Sequence, residues 1–177
     1  MGFESGYKQL ITYKQSVMIF DGNGQFCKKW VDYHSRTYDQ MIQAARSAKQ
    51  CIAEGYQEKS LKSYIKLLGV TRGSYEELLE DYLDFGRGRG VEVRREIGGS
   101  ARWERRGREG GGGEWILPVD SSSPSNTSLP LNAMVDLLIR TNFLLDRQIR
   151  SLEEKFIKEG GYTEKLFRER LKYRQNR

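Results

Sequence analysis

The chain contains one histidine, two cysteines and three prolines in 177 residues. A single histidine, His34, excludes most metal and triad chemistry, including the repeated Glu-x-x-His pairs of di-iron bundles. Two cysteines cannot form a disulfide framework in a chain of this size, which favours a reducing, cytoplasmic setting. No apolar run approaches the ~18 residues of a membrane span, so no membrane partner is expected. Met1-Gly2-Phe3-Glu4-Ser5 lacks a basic region followed by an apolar stretch, so no secretory leader is expected.

What is present fits one domain with one modest core: 37% hydrophobic residues and 31% charged. The net charge of +6 is unevenly spread. Residues 1–85 are neutral, 86–114 carry +3, 115–146 carry −2 and 147–177 carry +5. Such asymmetry points to an acidic partner such as a phosphate backbone, or to a solvated surface with a basic tail.

Apolar periodicity predicts helices. Leu10, Tyr13, Val17, Phe20, Cys27 and Val31 recur at helical steps, interrupted by Gly22 and Gly24. This reads as one helix with a weak middle or two helices meeting there. Tyr38, Met41, Ala45, Ala48 and Ile52 form a narrow stripe whose small residues admit a close neighbour. Ser35 or Thr37 can cap its start, and Gly55 suits its end. A third helix begins near Ser60 and carries Leu61, Tyr64, Ile65, Leu68, Tyr75, Leu78, Leu79, Tyr82 and Leu83. The fourth starts near Leu131, buries Met134, Leu137, Leu138, Thr141, Leu144, Leu145, Gln148, Ile149, Leu152 and Phe156, and stops at Gly160-Gly161.

These elements predict an all-α chain, an antiparallel up-down four-helix bundle. Residues 1–85 hold three helices, 86–130 a long connection, 131–160 the fourth helix, and 161–177 a basic C-terminal segment. The first 29 residues of the connection hold ten of the 19 glycines and eight arginines, and a Ser-rich run follows. That composition predicts a mostly disordered stretch, with Trp103, Trp115, Ile116 and Leu117 as residues able to dock. By loop-length priors a connection of about 45 residues is functional or foreign.

Ser35-Arg36-Thr37-Tyr38-Asp39-Gln40-Met41, Ala44-Ala45-Arg46-Ser47-Ala48-Lys49-Gln50 and Ile52-Ala53-Glu54-Gly55-Tyr56 resemble the small bacterial four-helix-bundle proteins named for reading frames in intervening sequences of 23S rRNA genes. Arg72-Gly73-Ser74-Tyr75-Glu76-Glu77-Leu78-Leu79-Glu80-Asp81-Tyr82 and Asn142-Phe143-Leu144-Leu145-Asp146-Arg147-Gln148-Ile149 resemble its suffix-domain variant. The superfamily includes the accessory variability protein of diversity-generating retroelements. The resemblance covers roughly residues 7–85 and 131–172, whereas residues 86–130 depart from the family's shorter, more apolar connection. A local insertion or a reading-frame slip would each produce that departure. The resemblance implies a homo-oligomeric ring, pentameric in known relatives, and implies no particular enzyme activity, the role of most members being unknown. For the retroelement relative it implies binding to nucleic acid and to a reverse transcriptase.

Candidate contacts with RNA or DNA lie in three groups. Lys59, Lys62 and Lys66 form one cationic line on the first turns of the third helix, while Glu76, Glu77, Glu80, Asp81 and Asp84 crowd its far end. This opposes the helix dipole, worth ~0.3–1 kcal/mol per charge, so an opposite charge on a neighbour or a bound polyanion would compensate. Arg36, Arg46 and Lys49 share the second helix, and the last two, three apart, can reach one phosphate track without reading bases. Lys165, Arg168, Arg170, Lys172, Arg174 and Arg177 make the densest run, interleaved with Tyr162, Phe167 and Tyr173 that can stack on bases. Each group also reads as an ordinary solvated surface. Phe85-Gly86-Arg87-Gly88-Arg89-Gly90 resembles an Arg-Gly segment of disordered RNA binders, or reflects composition alone.

No catalytic residues, metal site or cofactor are expected. Cys27 and Cys51 read as core neighbours without an adjacent base. The acidic cluster as a metal-dependent nuclease site is the weakest alternative. The expected function is a non-enzymatic nucleic-acid-binding accessory or scaffold factor, the alternative a protein–protein assembly module. Tyr7, Tyr13, Trp30, Tyr33, Tyr56 and Tyr64 exceed what one thin bundle buries, which adds to the expectation of a homo-oligomer.

Overall fold

The computed structural model describes residues 6–94, 102–107, 113–123 and 125–175. Helix dominates them: α1 Ile11–Trp30, α2 Arg36–Gln57, α3 Leu61–Gly88, α4 Ser128–Glu159 and α5 Tyr162–Gln175. A 3-10 turn, Gly6–Gln9, precedes α1. Two short strands, β1 Glu104–Arg106 and β2 Glu114–Ile116, pair antiparallel with Arg105 opposite Trp115. No described helix is long and apolar enough to cross a membrane.

Local chemistry sets the helix ends. Ser35 Oγ accepts the Tyr38 amide at 3.1 Å and so caps α2. The end of α2 is Gln57, not Gly55. Gly55 is buried instead, and a Cβ there would lie 2.7 Å from the Tyr64 ring, so its bareness lets α3 approach. Helix α4 starts at Ser128, three residues before the expected Leu131. Pro130 falls in the first turn, where an amide needs no intrahelical partner. Gly160, at φ +77°, stops α4 in a backbone region that disfavours other residues.

α1 is one helix, unbroken at Gly22 and Gly24. A Cβ at Gly22 would come 2.6 Å from the Trp103 ring and 2.9 Å from Met134 Sδ. The helical cost of that glycine is offset by the close seat it gives an aromatic ring of the connection.

α1 packs on α2 and α4, and α3 packs on the same two helices. Across α1 and α2, Phe20 meets Lys49 and Asn23 meets Met41. Across α2 and α3, Ala48 meets Thr71 and Gly55 meets Tyr64. Across α3 and α4, Arg72 meets Asp146 and Glu76 meets Asn142. Across α1 and α4, Thr12 meets Gln148 and Gln15 meets Thr141. In each set one number rises as the other falls.

The core between these helices includes the fully buried Ile19, Phe26, Met41, Ile52, Leu68, Leu78, Leu131, Met134, Leu138 and Leu145. Each such side chain contributes about 1.5–3 kcal/mol on leaving water. Phe26 is edge-on to Tyr82 at 4.8 Å and to Phe85 at 5.0 Å, and tilted against Trp30. Several polar groups are paired across helices, although the Tyr75 hydroxyl and Asn142 Oδ1 are buried without a hydrogen-bond partner among the described residues. Asn23 donates to the Met41 carbonyl at 3.0 Å and accepts from the Tyr82 hydroxyl at 2.8 Å. Gln148 donates to the Tyr64 hydroxyl at 2.7 Å and accepts from Thr12 at 2.8 Å.

The connection, expected to be mostly disordered, carries structure over much of its described length. Gly86 to Gly88 continue α3, and the Arg94 amide donates to Asn132 Oδ1 at 2.7 Å. β2 lies on α1, where Gln25 donates to the Trp115 carbonyl at 2.7 Å and accepts the Leu117 amide at 2.9 Å. The Trp115 amide donates to Asp21 at 2.9 Å, and Leu117 is buried. The physical reason for the difference is partnership: α1 side chains satisfy this backbone, and Trp103 and Leu117 supply apolar contact that composition alone does not reveal. The remainder of that expectation, residues 95–101, 108–112 and 124, lies outside the described residues.

Candidate nucleic-acid interface

Lys62 and Lys66 stand on the first turns of α3, whereas Lys59, expected on the same line, lies in the turn before the Ser60 cap; all three are exposed. None has an ion pair among the described residues. Ser60 occupies the cap position without a side-chain cap bond, and Glu58, two residues earlier, is the one acid beside these three cations in sequence.

On α2 the expected trio separates. Arg36 is exposed at the first turn, more than two turns from the exposed Arg46. Lys49 does not accompany Arg46 outward. Its ammonium lies 3.6 Å from the Phe20 ring centroid, half-buried against α1. Burial holds that ammonium below the ordinary lysine value, with Asp21 opposing the shift. The aliphatic stem gains contact with α1 and the charge gains an aromatic face, which removes Lys49 from a phosphate track.

α5 carries the third group. Every described residue after Gly161 is exposed, Lys165, Arg168, Arg170, Lys172 and Arg174 included; Arg177 lies outside the described residues. Arg168 pairs with Glu164 at 4.0 Å and donates to the Glu159 carbonyl at 3.2 Å. Lys172 pairs with Glu169 at 3.4 Å. Both pairs are solvent-exposed and worth at most about 1 kcal/mol each, so neither is locked. Lys165, Arg170 and Arg174 have no ion pair among the described residues.

The opposite end of α3 is acidic. Glu76, Glu77, Glu80 and Asp81 line a groove of about 670 Å³ whose other wall is Gln40, Gln43, Ala44 and Ser47 of α2. Glu76 is held by Arg72, which also donates to Asp146 at 3.2 Å, and Asp84 pairs with Arg87 at 2.8 Å. Burial pushes the Asp81 carboxyl above its usual range, with Asp84 and Glu77 adding to the rise. α3 is therefore cationic at its start and anionic toward its end. Sequence reasoning missed the bridging role of Arg72, although the Arg72–Glu76 spacing of four signals half of it.

Groups with catalytic potential are kept apart. His34 is exposed in the turn between α1 and α2, its amide bonded to Asp32. Burial pushes the Cys27 thiol up to about 12, with Asp81 adding to the rise, so it is no nucleophile at neutral pH. Cys27 sits beside Met41, and Cys51 lies about 15 Å further along α2, so the two cysteines are not core neighbours. Among the described residues no group of three or more His, Cys, Asp or Glu is arranged to hold a metal ion. No protein-family model, no curated protein and no solved structure matches the chain.

Proposed function

We propose that this chain is a non-enzymatic, cytoplasmic, antiparallel up-down four-helix bundle that binds the backbone of RNA or DNA through its cationic surfaces. The opposed numbering of the cross-helix pairs supports the bundle arrangement. The carrying observation is the exposed set Lys59, Lys62 and Lys66, the first in the turn after Glu58 and the other two on α3, none of them in an ion pair among the described residues. Arg46 on α2 and the cations of α5 extend the positive surface. Three exposed cations, with the intervening Tyr64 buried, suit positioning on a backbone rather than reading bases. The resemblance to the 23S rRNA-intervening-sequence superfamily agrees with this reading. It adds the proposal of a homo-oligomer, pentameric as in relatives, serving as accessory to a reverse transcriptase or another nucleic-acid enzyme.

The test is filter binding of a labelled oligonucleotide at 50 and 200 mM salt. Each phosphate contact adds roughly 0.9 to the slope of log affinity against log salt for duplex DNA. Replacing Lys59, Lys62 and Lys66 with alanine is expected to flatten that slope by about 2–3 units. Negligible retention at both salt concentrations, or an unchanged slope in the triple variant, refutes the reading.

A second reading, a protein–protein assembly module, is favoured by exposed apolar residues on α5, among them Phe167 at 61% and Leu166 at 51% exposure. A partner retained after nuclease digestion, without oligonucleotide binding, would select it.

A further inference from the structure

α5 lies outside the buried core. Fourteen residues long, it buries none of them. At 100° per residue its side chains divide into two faces. One carries Tyr162, Leu166 and Tyr173 along one ridge and Phe167 and Leu171 along another, with Arg170 and Arg174 between them. The opposite face carries Lys165, Arg168 and Lys172 with Glu164 and Glu169, and it contains both exposed ion pairs. Five exposed apolar side chains flanking two arginines do not describe a solvated tail. They set two arginines between apolar ridges, a face whose charge suits an acid-lined groove.

The structure contains such a surface. The α2–α3 groove sets Glu77, Glu80 and Asp81 of α3 against Gln40, Gln43, Ala44 and Ser47 of α2, and none of those three acids has an ion pair among the described residues. A cation arriving there would offset the repulsion from Asp84 and Glu77 that adds to the burial-driven rise at Asp81.

The chain's own α5 does not reach its own groove. Gln148 of α4 lies beside Tyr64, near the start of α3, so α4 reaches Glu159 beyond that start and α5 begins there. At a rise of ~1.5 Å per residue, Glu77 and Glu80 lie about 24–29 Å along α3, whereas Arg170 and Arg174 lie only about 12–18 Å along α5. Folding back would also lay α5 along Lys59, Lys62 and Lys66, cation against cation.

We propose that the Arg170/Arg174 face of α5 docks in the α2–α3 groove of a second copy of this chain, placing the two arginines against Glu77, Glu80 and Asp81. The contact is heterologous, because different patches of the two copies meet, so it propagates head to tail and closes as a ring or continues as a filament. The outward face of Lys165, Arg168 and Lys172 stays open to a polyanion. The inference deepens the proposed homo-oligomer and rests on that reading for the presence of other copies.

Sedimentation velocity on nuclease-treated full-length chain tests it with two double variants, R170E/R174E and E77K/E80K. In R170E/R174E an acidic α5 faces an acidic groove, and in E77K/E80K a basic α5 faces a basic groove. Each alone is expected to sediment as a single chain while keeping wild-type helicity. Their equimolar mixture is expected to regain assemblies larger than a single chain, since alternating copies bring each α5 to a groove of opposite sign. Wild-type protein that sediments as a single chain overturns both the docking and the oligomer. Variants as assembled as wild type overturn the docking and leave the oligomer standing. Dispersed variants that stay dispersed on mixing overturn the docking, as does assembly that appears only when an oligonucleotide is added.

Discussion

Asn23 and Tyr82 offer a quantitative test of how this fold is held in register. Both are fully buried, and the Tyr82 hydroxyl donates to Asn23 Oδ1 at 2.8 Å while the Asn23 amide donates to the Met41 carbonyl at 3.0 Å. Burial holds the phenol well above its ordinary pKa, so it remains a donor throughout the usable pH range. Tyr82→Phe removes the donor and leaves Oδ1 with only the Cys27 thiol at 3.7 Å, at a cost of about 1–2 kcal/mol. Asn23→Ala does more damage, because it strands the hydroxyl in an apolar core and opens a small void, for about 2–4 kcal/mol. Once Asn23 is alanine, removing the stranded hydroxyl is expected to be neutral or stabilising. The double variant should therefore be less destabilised than the sum of the singles by about 1–2 kcal/mol. Urea titrations followed by far-UV circular dichroism give all four stabilities. Single costs that add to within ~0.5 kcal/mol would show that the two side chains do not share a bond, refuting the reasoning.

Two further outcomes follow from particular contacts. Gly22→Ala places a methyl within 2.6 Å of the Trp103 ring, so Trp103 should leave its seat, lowering Tm and shifting tryptophan emission to the red; emission and Tm matching wild type would refute the close approach. Asp81 has a raised pKa in the fold, so its charged form costs stability at neutral pH, and the cost fades as pH falls through the folded value. Asp81→Asn should therefore raise Tm at pH 7, with the advantage narrowing toward pH 4, and an advantage that widens on acidification would contradict it.

The helices were largely legible in the sequence because their buried faces repeat at helical spacing. Met41, Ala45, Ala48 and Ile52 are all buried, and so are Leu68, Tyr75, Leu78 and Leu138. Features that depend on a distant partner were not legible. The continuity of α1 through Gly22 rests on Trp103, and the seat of β2 rests on Asp21 and Gln25, some ninety residues earlier. Strands of three residues are too short to show an alternation. Asn23 reads as a surface residue in a glycine-rich stretch, yet it is buried because Tyr82 and Met41 use both ends of its amide. Of the candidate cations, charge count identified the groups, but it could not separate Lys49, drawn onto Phe20, from Arg46 beside it.

The placement of β2 on α1 governs which sides of the molecule remain open to company. Asp21 and Gln25 commit their polar atoms to the backbone of residues 115–117, and Trp103 blankets Gly22. That flank arrives already wrapped by the chain's own connecting segment. Any molecule reaching for those polar atoms would have to compete with residues 115–117 for them.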